Sequence, residues 1–127
     1  MSRLGLAAFL LVLGGCTNES EGVSFNQQVL PVLKRHCVVC HMTSDTQGGL
    51  GLYPEPHPSL VSAPSNQSKL MLIEPGSIEN SYLYHKLMNT QLSAGGEGAS
   101  MPYQRDALSP ADIETIRLWI QEGAKRN

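Results

Sequence analysis

Cys37-Val38-Val39-Cys40-His41 is the stretch that decides how this chain is read. Two cysteines three residues apart, with a histidine directly after the second, form the pattern of covalent c-type haem attachment. The spacing follows from the chemistry. On one helical turn Cys37 and Cys40 can each form a thioether with a haem vinyl group. His41, held beside the second bond, then presents a ring nitrogen to the iron. Two other readings use the same residues. A zinc site would want a second Cys/His pair at ligand spacing, and no cysteine follows Cys40. A redox dithiol would want a βαβ context, which the chain does not offer.

Composition agrees with a small domain built around a group that the chain does not itself supply. The 127 residues point to one domain, and a net charge of −2 with 16% charged residues gives no sign of a nucleic-acid partner. Aromatics make up 6%, with one Trp and two Phe, a thin supply for a core of this size. A buried porphyrin would add the missing apolar bulk.

The third cysteine belongs to a different signal. Arg3 followed by the apolar run at residues 4–13 has the shape of a signal-peptide core, too short to span a bilayer. Leu13-Gly14-Gly15-Cys16 resembles the bacterial lipoprotein cleavage box, so residues 1–15 are expected to be removed and Cys16 lipidated. Two or more acyl chains would anchor the chain stably. Thr17 stands where an inner-membrane retention signal would place Asp, which favours the outer membrane. Removal of 1–15 takes away Arg3 and leaves 8 Lys+Arg against 11 Asp+Glu, a formal −3. Export to the periplasmic side agrees with the haem reading, because c-type haem is attached outside the bacterial cytoplasm.

Residues 16–23 then form the lipidated cysteine and a polar tether, and 24–127 the folded domain. The seven residues after Cys16 reach at most roughly 25 Å, which keeps the domain near the membrane. Ser24 with Gln27 forms a capping box for a first helix, with Phe25, Val29, Val32 and Leu33 at core spacing. Pro31 either kinks that helix or marks its true first turn. Lys34, Arg35 and His36 read as solvated surface. Gly48-Gly49-Leu50-Gly51-Leu52 suggests backbone passing close to something flat, with Leu50 and Leu52 pointing the same way. Tyr53-Pro54-Glu55-Pro56-His57-Pro58 excludes a regular helix, since residues before proline avoid the α region, and a short helical turn is placed within 60–69.

Leu70-Met71-Leu72-Ile73 reads as an extended piece or a turn entry, ended by Pro75-Gly76. Ser77 or Asn80 caps a second helix over 81–89, burying Tyr82, Leu83, Leu87 and Met88. A Gly-rich loop fills 90–100. Ser109-Pro110-Ala111-Asp112 starts the last helix, with Ile113, Ile116, Ile120 and either Leu118 or Trp119 on its apolar stripe. Gly123 is its C′ residue, with Lys125 and Arg126 beside its negative end.

A haem iron held by His41 has a second axial position. Met71, Met88, Met101, His36, His57 and His85 are the candidates, since Met42 adjoins His41 and cannot reach the other face. His36 precedes Cys37 and fails for the same reason. Met101 is preferred because a Gly-rich loop delivers it, Pro102 stiffens the chain after it, and helices flank it. His85 is the next choice. Met71 and Met88 read as gap-filling core residues.

From Phe25 to Ala124 the chain resembles the class I cytochrome c superfamily, and more narrowly the bacterial single-haem domains found in planctomycete-type cytochromes. Val29-Leu30-Pro31-Val32-Leu33, the Cys37–His41 pattern, Gly49-Leu50-Gly51-Leu52, Pro75-Gly76 with Ser81, Met101-Pro102 and Leu108-Ser109 through Trp119-Ile120-Gln121-Glu122-Gly123-Ala124 carry the resemblance. It implies an all-α cytochrome c fold of about three main helices and long loops around one covalent haem c. Cys37 and Cys40 are the implied attachment points, and His41 and Met101 the implied iron ligands. Met42 departs from the pattern, standing where that family often has Gly, and is expected to crowd the haem edge slightly. The functional expectation is a monomeric, lipid-anchored single-electron carrier that meets redox protein partners and turns over no substrate. The alternative is a haem-based sensor or small-ligand binder in which Met101 is displaced from the iron or absent from it.

Overall fold

The computed structural model describes residues 22–44 and 47–127, so the expected leader 1–15, Cys16 and tether residues 17–21 lie outside the described residues. Among the described residues the chain is all-helical, with four α-helices and no strand. None of these helices is long and apolar enough to cross a membrane.

Packing begins one residue before the expected domain start. Val23 rests against the core, and its N–H donates to Glu122 Oε2 at 2.6 Å, so it belongs to the domain and not to the tether. Ser24 caps the next turn as expected, its hydroxyl accepting from the Gln27 N–H at 3.3 Å. The reciprocal bond comes from Gln28, whose side chain accepts from the Ser24 N–H at 2.8 Å, and not from Gln27. The shift has a cause in the winding. Phe25–Val29 is a π-helical turn, wider than an α turn, and it runs directly into α1, Leu30–His36. Pro31 brings no N–H to the ladder and sits in the first turn of α1, where the widened turn before it accommodates the missing bond. Phe25, Val29, Val32 and Leu33 are all buried.

α2 is a correction to the sequence reading. Pro56–Leu60 is a short α-helix inside the proline-rich stretch, and no helical turn occupies 61–69. Glu55 is non-helical, as a residue before proline should be. Pro56 and Pro58 are tolerated because both fall in the first turn, where a helix has no acceptors for its N–H groups.

Residues 70–73, expected as an extended piece or a turn entry, bend at 70 and 72 and make isolated bridges from Val61 to Ile73 and from Met71 to both Pro64 and Ser81. This segment explains how α3, Tyr82–Leu87, begins. The cap is Ser81, not Ser77 or Asn80, yet its hydroxyl makes no capping bond. The carbonyls of Met71 and Leu72 take the free N–H groups of Tyr82 and Leu83 at 2.9 Å each. Ser81 Oγ is thereby left to donate to the Ser77 carbonyl at 2.6 Å and accept from the Glu74 N–H at 2.9 Å. Tyr82, Leu83 and Leu87 are buried; Met71 and Met88, read as core residues, are 38% and 44% exposed.

α4, Pro110–Gln121, is built as its sequence suggests. Ser109 Oγ accepts from the Asp112 N–H at 3.1 Å, and Pro110 occupies the first helical position. Ile116, Trp119 and Ile120 are buried, which settles the choice between Leu118 and Trp119. Gly123, at φ +96°, ends the helix, and the Ala124 N–H reaches back to the Trp119 carbonyl at 2.8 Å. Together with the Gly123 bond to Ile120 at 3.0 Å this is a Schellman cap. Arg126 leaves the helix end to pair with Glu55 of the segment before α2. Phe25, His57 and Trp119 meet at ring-centroid distances of 4.9, 5.4 and 6.0 Å and join the first helix, α2 and α4.

Candidate functional site

α1 ends at the residue before the first cysteine, and the chain keeps turning. The Cys37 and Val38 N–H groups both donate to the Leu33 carbonyl, at 2.9 and 3.0 Å. The Cys37 carbonyl in turn accepts from Cys40 at 3.1 Å and from His41 at 3.0 Å. Both cysteines and the histidine therefore lie on one continuous turn. Neither Cys37 nor Cys40 is in a disulfide. Cys37 is the more enclosed, and burial, followed by the neighbouring Cys40, pushes its pKa up to about 11. It is a neutral thiol at physiological pH.

The segment at 50–53 is laced to this turn. The Leu52 N–H donates to the His41 carbonyl at 2.8 Å, and the Tyr53 N–H to the Met42 carbonyl at 3.0 Å. The close approach anticipated for the glycines is to the chain's own backbone: a Cβ on Gly51 would lie 2.7 Å from the Ser44 nitrogen. Leu50 and Leu52 face the same way, into a cavity of about 1130 Å³. Ligand pockets commonly span about 300–1,000 Å³, so the space is large for a chain this short.

Cys37, Cys40 and His41 line this cavity, and so do Met101 and Pro102 from the far end of the Gly-rich loop. Leu83 and Leu87 of α3 supply apolar wall. His41 Nδ1 is buried and has no hydrogen-bond partner, an uncommon state for a polar atom of an enclosed side chain. Two thiols, an imidazole and a thioether thus share one space, and these are groups able to hold a covalently attached metal cofactor.

The other candidates opposite His41 are placed elsewhere. Met71, Met88, His57 and His85 are not part of the cavity lining, whereas His36, set aside on grounds of position, is. His85 has both ring nitrogens engaged, Nε2 donating to the Glu79 carbonyl at 3.0 Å and Nδ1 bonded to Thr90 Oγ1 at 2.9 Å. His57 Nε2 donates to the Ala124 carbonyl at 2.8 Å inside the aromatic corner. His36 lies 3.9 Å from Asp112, which Arg35 also approaches at 3.5 Å. Met42 is 46% exposed and lies outside the lining.

Sequence reasoning passed over Lys86. It is buried on α3, lines the cavity, and donates to the carbonyls of Glu97 at 2.8 Å and Ala99 at 2.9 Å. Burial pushes its pKa below the ordinary lysine value, with the Glu97 carboxylate acting the other way. One signal was available: Lys86 follows Tyr82 and Leu83 by four and three residues, which puts it on the apolar face of α3. Among the described residues no three His, Cys, Asp or Glu side chains gather as a metal-ion site.

No protein-family model matches the chain, and no curated protein or solved structure does either.

Proposed function

We propose that this chain is a monohaem c-type cytochrome that carries single electrons in the bacterial envelope, its helices packed in the cytochrome c manner around the cofactor. The observation that carries the reading is the convergence of Cys37, Cys40, His41 and Met101 on one cavity. The residues fit the group in kind as well as in place. Cys37 and Cys40 would hold it by thioethers, His41 and Met101 would bind its iron, and Leu52, Leu83 and Leu87 would keep water from it. His41 Nδ1 is a buried polar atom that the chain itself leaves without a partner, which supports a site completed by a bound group. A bound haem supplies an iron that takes up and returns one electron. The chain's own contribution would be to bind and orient the group, exclude solvent, and favour the reduced state through the Met101 thioether. With residues 1–15 removed and Cys16 lipidated, the domain would work at the periplasmic side of the membrane, passing electrons between redox proteins.

The test is chemical. Protein made in a host with c-type maturation machinery should keep its haem after denaturation, and its intact mass should show one haem per chain. The ferric form should show the weak far-red charge-transfer band of methionine ligation. Haem that extracts into acid organic solvent would sink the reading, and a ferric spectrum without the band would leave the sensor alternative in its place.

A further inference from the structure

We propose that Lys86 is a positioning residue for Met101, its ammonium group stapling the loop that delivers the thioether to the haem iron. The inference rests on the haem reading above. Lys86 is 6% exposed, and buried lysines ordinarily face a carboxylate. Among the described residues no carboxylate oxygen lies within ion-pair distance of its Nζ. The ammonium is spent on the Glu97 and Ala99 carbonyls instead, and sits 5.3 Å from the centre of the Tyr82 ring. Hydrogen bonds from a charged donor are the strong kind, and both of these end on the same loop. The backbone of Lys86 holds the next point along, its carbonyl accepting from the Met101 N–H at 2.9 Å.

Lys86 therefore holds the loop at 97, 99 and 101. Beside it, the hydroxyl of Tyr82 on the same helix donates to the Glu97 carbonyl at 2.7 Å and accepts from the Glu97 N–H at 3.0 Å. The loop has no helix or strand of its own across 96–101. Gly98 lies at φ +74°, and a Cβ there would come 3.0 Å from both Lys86 Nζ and Gln67 Nε2. α3 is in turn seated in the core through Leu83 and Leu87. The line of support runs from core to α3, from Lys86 to the loop, and from the loop to Met101.

The experiment compares ferric wild type with Lys86→Met, which keeps the unbranched stem and deletes the donors. The readouts are the far-red methionine band, the affinity for added imidazole, and thermal unfolding. Lys86→Met should weaken or abolish the band and bind imidazole roughly ten-fold more tightly or better, as expected from losing a charge-assisted hydrogen bond. Trp119→Ala, which strikes the core away from the loop, should lower the unfolding temperature and keep the band. Lys86→Met with the wild-type band and imidazole affinity within about two-fold of wild type overturns the proposal, as does loss of the band in Trp119→Ala. If Lys86→Met does not fold, Gly98→Ala takes its place, since the added methyl pushes the loop off Nζ. That variant should move the same two readouts, and wild-type values for both would overturn the proposal. A wild type without the band sinks the methionine reading itself, and this inference with it. A banded wild type with an indifferent Lys86→Met sinks this inference alone.

Discussion

The aromatic corner at Trp119 and the cavity at His41 draw on different helices, α4 at the corner and α3 at the cavity, and they are finished differently. At the corner, Phe25, His57 and Trp119 fill the space with rings. Their polar atoms are answered within the fold, His57 Nε2 by the Ala124 carbonyl at 2.8 Å and Trp119 Nε1 by the Lys125 carbonyl at 2.9 Å. At the cavity, apolar wall faces open space, the Cys37 thiol is pushed up by burial, and His41 Nδ1 has no partner. The cavity side answers Lys86 with two carbonyls but leaves His41 Nδ1 without a partner. On the function proposed above, one half supplies stability from the chain alone and the other would take its last contacts from the haem.

That division is open to direct attack, and the strongest blow falls on the corner. Trp119→Ala should cost about 3–5 kcal/mol, the usual loss for a buried Trp, read by chemical denaturation of the haem-loaded protein. The far-red band should persist in whatever remains folded. Met101→Ala should act the opposite way. Met101 is half-buried, so the stability loss should be about 1–2 kcal/mol, below the ~2–5 kcal/mol of a fully buried site. The band should vanish and the reduction potential should fall, because water or a nitrogen ligand stabilises the ferric iron better than a thioether. A spectrum unchanged in Met101→Ala would break the comparison at its most informative point.

Smaller effects sharpen it. Ser109→Ala removes the hydroxyl that caps α4 and should lower stability by about 1 kcal/mol with no spectral change. Met71→Leu and Met88→Leu should stay within about 0.5 kcal/mol of wild type and leave the band intact. Both side chains are exposed and outside the cavity lining. A band lost in either variant would mean that the ligand comes from a different methionine.

How far each part could be read in advance depended on how local its causes are. Ser109, Pro110 and Gly123 act on the backbone within a few residues, and α4 begins and ends where they stand. The burial of Phe25, Val29, Val32 and Leu33 follows from helical spacing alone. The proline-rich stretch misled because Pro56 and Pro58 each disfavour a helix, while together they fall in the one turn that tolerates them. Met71 and Met88 misled because an apolar side chain reports a preference for the core and not its distance from it.

The sequence by itself determined the local events: a turn that brings Cys37, Cys40 and His41 together, a capped last helix, and an all-helical chain. These rest on hydrogen bonds and side-chain periodicity spanning four or five residues. Tertiary structure alone decided that His85 is occupied with Glu79 and Thr90, and that the charge of Lys86 is turned onto the Met101 loop. Each of these depends on where a distant backbone carbonyl or cavity wall comes to lie. No spacing within α3 or the loop encodes that position, because it is set by packing against residues far away in the chain.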